Sequence, residues 1–553
     1  MMARDPFEPS EACPSRARSG APDGPPTRRT SARVACLLGG VLLALGPDPA
    51  ARAIWPFDAD DTPATLEHRA AELLGEAMRT PTVNPPGGEL SLARKLAAAL
   101  GRAGIESRVI ATPGPEGGPE RAAVWGRLRG RRRSGEDAPR PALALLSHLD
   151  TVPADADEWS VDPFAGEIRD GYVWGRGALD AKGVAIAHLL TMIEIAHSDA
   201  KLDRDLVYLA TPDEETGGLE GAGWIAANRP DLLEGVGYLL TEGGGIQIDS
   251  TSVEAPRPAV WGVTLTEKAP CWIELRARGR AGHSAAPTRD AAVPRLIAAL
   301  DRIRRAEAPI RVSQEVARMF AALAPLAADW DRAGYANLQR ALRKDEAFRR
   351  RFLDDPSQNA LVRNTVSITV LEGAPKTNVA PAIARAQLDA RLLPGESCEA
   401  FREELAEVIH DPKVELQTIL SFPSRSSSSD TPLYRAIEAV AARHDPSALV
   451  VPRLIGGFTD AHWFRELGLV AYGFVPRALT PDEARRVHGV DERVDTATLA
   501  RSIELMVEVV RSFDALETEE ARKGSGRESG RTPSKDEGPS VRPGPSKYRK
   551  DAD

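Results

Sequence analysis

Cysteine is scarce in this chain. Four occur in 553 residues, Cys13, Cys36, Cys271 and Cys398, and no two form a Cys-x-x-Cys pair. That rules out a disulfide scaffold and a thiolate zinc site, so any metal must be held by histidines and carboxylates. A basic excess is also missing. The 71 Lys and Arg stand against 80 Asp and Glu, leaving no basic face for nucleic acid, and no nucleic-acid partner is expected. No Gly-x-Ser-x-Gly elbow, P-loop or His-Glu-x-x-His helix is present. Gly221 to Ala226 imitates a dinucleotide fingerprint, but it follows TPDEETGG and does not directly close a strand, so it is not read as a nucleotide site.

The length exceeds one ordinary core and predicts two domains with appendages. Arg28, Arg29 and Arg33 precede an apolar run from Val34 to Leu45, and Gly46, Pro47 and the small residues Ala50 to Ala53 follow. The run falls short of the roughly 20 residues a membrane span needs, and its order is that of a secretory signal. Residues 1–53 are therefore expected to be removed after Ala53, exporting the protein to a periplasmic or extracellular location. Thr30-Ser31-Ala32 lacks the apolar pair usual after a twin arginine, so Sec and twin-arginine routes stay open. Removal would leave Cys271 and Cys398. Their spacing does not decide whether they pair, and two unpaired buried thiols are expected. From 516 to 553 the chain is charged and rich in Gly, Ser, Pro and Lys, which predicts a disordered tail.

The body alternates strand-like and helical patterns, predicting an α/β sheet with helices on both faces, where ligands gather beyond the carboxyl ends of strands. Ala142 to Leu146 reads as a strand and runs into Ser147-His148-Leu149-Asp150. His148 then stands at a strand end, with Asp150 placed to accept its second ring N–H. Tyr172 to Trp174 leads into GRGALDAKG around Asp180. Leu206 to Thr211 ends in Pro212-Asp213-Glu214-Glu215, Tyr238 to Leu240 delivers Thr241-Glu242, and His488 follows the strand Leu469 to Val475. Each alone has a plain structural reading, such as a helix cap for Asp180 or a solvated loop for the paired glutamates. Together they supply five ligands and one spare carboxylate, the number that suits two zinc ions bridged by an aspartate with a general base beside them.

The motifs SHLDTVP, GRGALDAKG, TPDEETGG, LLTEGGG, AGHSAAP and VHGVDERV resemble the co-catalytic zinc family of aminoacylase, acetylornithine deacetylase, succinyl-diaminopimelate desuccinylase and glutamate carboxypeptidase. The phrases around Asp180 and Cys271 look most like its carboxypeptidase S branch, which includes secreted N-acyl-amino-acid hydrolases. The resemblance implies a hydrolase that cleaves N-acyl amino acids or the C-terminal bond of short peptides with a free carboxylate. It implies two zinc ions, replaceable by cobalt or manganese, with Asp180 as the bridge. His148 and Glu242 would complete one site, and Glu215 and His488 the other. Glu214 would be the general base, Asp150 the residue orienting His148, and Asp180-Ala181 a cis peptide. A non-catalytic binding protein on the same fold is the rival reading, and the intact ligand set and Glu214 argue against it. A deacylase of one biosynthetic intermediate is the second, and export argues against that.

The resemblance further implies a catalytic domain in two parts, 54–265 and 423–515, interrupted by a lid at 266–422. The patterns agree with a β-α-β-β-α-β ferredoxin-like order, with an extra helical segment at about 308–363 that small family members lack. In the lid, His283 is matched to the residue that contacts the scissile carbonyl, and Asn378 and Arg391 to residues that hold the substrate carboxylate. A homodimer through the lid is implied by the same likeness. His188 and His462 match no ligand role and are read as structural, with Asp460 a possible supporting group.

Overall fold

The computed structural model describes residues 65–131, 140–248 and 259–525, with side chains to 516. The expected signal at 1–53 and the end of the chain from 526 lie outside the described residues. The last helix, Thr496–Ser525, continues past Leu516 into the first part of the segment that composition marks as a tail. No described helix is long and apolar enough to cross a membrane.

The larger layer is a ten-stranded mixed sheet. At its centre the strands Leu206–Thr211, Ala142–His148, Val236–Thr241 and Val470–Gly473 run parallel. Leu206–Thr211 and Ala142–His148 are buried along their whole length, as a strand covered on both faces must be. Their side chains alternate. Ala144, Leu146, Val207 and Leu209 pack with Ile225, Ala461 and Phe464, whereas Tyr208 points to the opposite face and donates to Ala185 O at 3.2 Å in the helix Lys182–His197. Because the central strands are parallel, their carboxyl ends share one edge, and His148, Glu214 and Glu242 all stand at it.

Lys268 alone separates the strand Val260–Glu267 of this sheet from Ala269–Arg278 of the second. Its buried ammonium is fixed to Arg363 O at 3.0 Å and Thr365 Oγ1 at 2.9 Å. The second sheet is antiparallel, in the order Thr365–Glu372, Ile383–Leu392, Ala269–Arg278, Val414–Ser421. The helices Ala292–Arg305 and Cys398–Ile409 pack on it through a core that includes Ile273, Leu388, Leu296 and Leu405. This is the ferredoxin-like lid.

Cys271 and Cys398 are not free thiols: they form a disulfide with Cα atoms 5.5 Å apart. The packing of that helix onto that strand brings together residues 127 apart, a proximity that spacing in the chain does not reveal. The extra helices between Gln314 and Leu361 have their own aromatic core of Phe320, Tyr335, Phe348 and Phe352. That core closes on Val451 and Leu454 of the strand Leu449–Ile455. The segment is inserted in the lid's sequence, but it packs against the larger sheet.

Candidate metal centre

His148 ends its strand, and its Nε2 lies 2.9 Å from Asp180 Oδ1 and 3.5 Å from Glu242 Oε1. The second oxygen of Asp180 faces the other way, 3.2 Å from His488 Nε2, which is 3.3 Å from Glu215 Oε2. Asp180 thus offers one oxygen to each histidine. Two groups of donors that could hold a metal ion result, His148-Asp180-Glu242 and Asp180-Glu215-His488, and a third, His148-Glu214-Glu215, lies between them. Imidazole nitrogens and carboxylate oxygens suit zinc and its borderline neighbours. Glu215 Oε1 is buried with no hydrogen-bond partner, the condition a cation would relieve. The residues fit the two-metal expectation.

The electrostatics arise from crowding four carboxylates. Burial, reinforced by Glu242 and Glu215, holds Glu214 well above the usual carboxylate range. Burial and the Asp180 carboxylate raise Glu242 to about 7. His488 is lifted to about 10 by its bonds to Asp180 and Glu215. An excess of negative charge this dense favours a cation or proton at every step.

Asp150 is fully buried. His148 Nδ1 lies 3.0 Å from the Asp150 carbonyl and 3.4 Å from its carboxylate, so the backbone makes the closer contact to the ring. The carboxylate also accepts from Glu214 N at 3.2 Å, Glu215 N at 3.1 Å and Asn84 Nδ2 at 2.8 Å. It therefore holds the turn that presents both glutamates. Asp180-Ala181 is cis, as expected.

The lid residues divide. His283 and Asn378 are exposed neighbours: the short strand Gly282–His283 pairs with Val379–Ala380, and Ser284 N donates to Asn378 O at 3.2 Å. Neither lines the cavity of about 750 Å3 that contains Asp180, Glu214, Glu215, Glu242 and His488. Arg391 stands nearer. Its guanidinium is 5.0 Å from the ring of Phe458, a cavity residue, and it is braced by Asp389 at 2.7 Å with Nη1 left unpartnered. His188 and His462 are buried and pushed down to about 3 by that burial, neutral core residues as expected. His462 stacks on Phe422 with centroids 3.6 Å apart. Asp460 accepts from Thr211 Oγ1 at 2.7 Å and so supports the strand end before Glu214.

Sequence reasoning missed Glu492, which lies inside VHGVDERV. Its buried carboxylate accepts from Leu179 N at 2.7 Å and Asp180 N at 3.1 Å, and pairs with Arg176 at 2.6 Å, fixing the loop that carries Asp180. Asn84, Arg453 and Arg477 were missed too. Arg477 donates to Leu179 O at 3.1 Å and lines the cavity with two buried nitrogens unpartnered. Only the charged run TPDEARRVHG hinted at a cationic wall.

Comparison with known proteins agrees with this geometry. The model of Peptidase family M20/M25/M40 matches residues 144–512. The human N-fatty-acyl-amino acid synthase/hydrolase PM20D1 is 26% identical over 384 residues, covering 69% of this chain and 76% of that protein. Probable carboxypeptidase S-like 2 of Dictyostelium discoideum is 26% identical over 387 residues, covering 69% and 73%. An M20 family metallo-carboxypeptidase, Sso-CP2 from Sulfolobus solfataricus, shares the fold with a TM-score of 0.61 at 18% identity, covering 81% of this chain and 99% of that one. With well over half of its length matched and its donors clustered at one sheet edge, the chain belongs to peptidase family M20/M25/M40 and is a metal-dependent hydrolase of amide and peptide bonds.

Proposed function

We propose that the protein is an exported aminoacylase or carboxypeptidase that holds two zinc ions and cleaves N-acyl amino acids or short peptides bearing a free carboxylate. One observation carries the reading: the two oxygens of Asp180 face His148 and His488 separately, and Glu214 stands 4.0 Å from His148 without being needed in either group. In the proposed roles His148, Asp180 and Glu242 hold one ion, and Asp180, Glu215 and His488 the other. Bound there, the ions would polarise the scissile carbonyl and acidify water. Glu214, in its ionised form, takes the proton from the attacking water and returns it to the leaving nitrogen. Asp150 keeps Glu214 in place through its backbone N–H, and Arg391 reads the free carboxylate.

A homodimer through the lid belongs to the same reading. Thr365–Glu372 is an edge strand, with Leu371 66% and nearby Ile297 61% exposed. His283 and Asn378, absent from their own chain's cavity, would be supplied to the partner's.

The test compares Glu214→Gln with Glu215→Gln. Glu214→Gln is expected to keep close to two zinc per chain and to lose about 100-fold to 10,000-fold in turnover of an N-acyl amino acid. Glu215→Gln is expected to lose metal. If Glu214→Gln loses metal and Glu215→Gln keeps it, the two roles are reversed.

A further inference from the structure

We infer that Arg453 forms an anion subsite in the wall of the same cavity and selects N-acyl amino acids whose acyl group itself ends in a carboxylate. Arg453 lies on the strand Leu449–Ile455, which runs parallel to Val260–Glu267. Its side chain crosses that neighbouring strand at Gly262, where a Cβ would stand 2.3 Å from Arg453 Cδ and 3.1 Å from Nη1. Only glycine leaves room for it. Gly262 pairs in turn with Gly245, three residues beyond Glu242, so the guanidinium is laid toward the segment that borders the carboxylate cluster.

This guanidinium makes no hydrogen bond or ion pair among the described residues, although burial lowers its pKa and no carboxylate offsets that effect. Arg121 is paired with Glu89 at 2.9 Å and Asp213 at 2.8 Å, Arg176 with Glu492 at 2.6 Å, and Arg465 with Glu267, whereas Arg477, in the same cavity lining, donates to Leu179 O and has Asp180, Glu242 and Glu492 near enough to offset part of its burial. An orphaned charge in a half-buried wall costs stability unless a ligand supplies the missing anion. Arg453 lines the cavity together with Ile246, Ile455 and Leu479, and the cluster around Glu214 lines it as well. An acyl chain whose amide lies at Glu214 can run along these apolar residues and end on Arg453. Arg391, on the lid side behind Phe458, remains for the carboxylate of the leaving amino acid. A dianionic substrate presents one carboxylate at each end, and Arg453 and Arg391 supply a cation for each.

The inference rests on the proposed amide-hydrolase reading, and the test separates the two. N-succinyl-leucine and N-butyryl-leucine have the same four-carbon acyl chain and differ in its terminal carboxylate. The zinc-loaded wild-type protein is expected to favour the succinyl compound in kcat/KM by at least about tenfold, the usual consequence of leaving a charged hydrogen-bonding group unpaired. Arg453→Gln is expected to lower the succinyl-to-butyryl ratio at least about tenfold, and Arg453→Lys is expected to retain part of it. A wild-type preference for the butyryl compound, or an unchanged ratio in Arg453→Gln, would overturn the anion subsite and leave the hydrolase reading intact. Failure of the zinc-loaded wild type to cleave either compound or any other N-acyl amino acid would overturn both.

Discussion

Replacing Cys271 and Cys398 by alanine, singly and together, tests the lid's cross-link. The bond joins the strand Ala269–Arg278 to the first residue of the helix Cys398–Ile409 and closes a loop spanning 127 residues. A cross-link removes loop-closure entropy from the unfolded chain, and for a loop of this length that amounts to at most about 5 kcal/mol at 25 °C. Packing adds little, because one sulfur is lost at each site in a core otherwise held by residues such as Ile273, Leu388 and Leu405. Each single variant and the double variant should therefore lose about the same stability, since any one of them removes the whole cross-link. Neither cysteine lines the cavity, so kcat at 25 °C should stay within about twofold of wild type. Thermal and urea unfolding measure the first effect, and a peptide map of unreduced protein made in an oxidising compartment checks the bond itself. Losses that add from the single variants to the double, a loss below about 1 kcal/mol, or two separately alkylated cysteines would refute this reasoning.

Asp180→Ala should reduce bound metal to near zero, and not to one ion per chain, because both donor groups share that residue; metal analysis after zinc loading decides it. Arg391→Ala should lower kcat/KM for N-acyl amino acids by at least tenfold, roughly one lost charged hydrogen bond, while their C-terminal amides lose much less. Comparing each acid with its amide on wild type and variant gives the answer, and equal wild-type rates on both would remove Arg391 from the substrate reading. Mixing inactive His283→Ala with inactive Glu214→Gln chains should restore partial activity if lid residues act on the partner's site. Absence of recovery between chains shown to exchange would favour a self-contained monomer.

The sequence by itself determined much of this protein. Parallel strands bring the residues at their carboxyl ends to one edge, so His148, Glu214 and Glu242 could be grouped from their positions after apolar runs, and their neighbours completed the pattern. The lid's alternating strands and its two amphipathic helices were equally legible, because periodicity is a local property. Contact between distant parts of the chain was decided only by the tertiary structure. The Cys271–Cys398 bond depends on how one helix lies on one strand, and no thiol pattern encodes that. Glu492 supports Asp180 from 312 residues away, so nothing near either residue signals the pair. The helical insert was visible as an apolar pattern, but its docking on Val451 and Leu454 depends on surface shape that a sequence does not display. Arg453 is the sharpest case, because its side chain lies where it does only since Gly262, on another strand, has no Cβ.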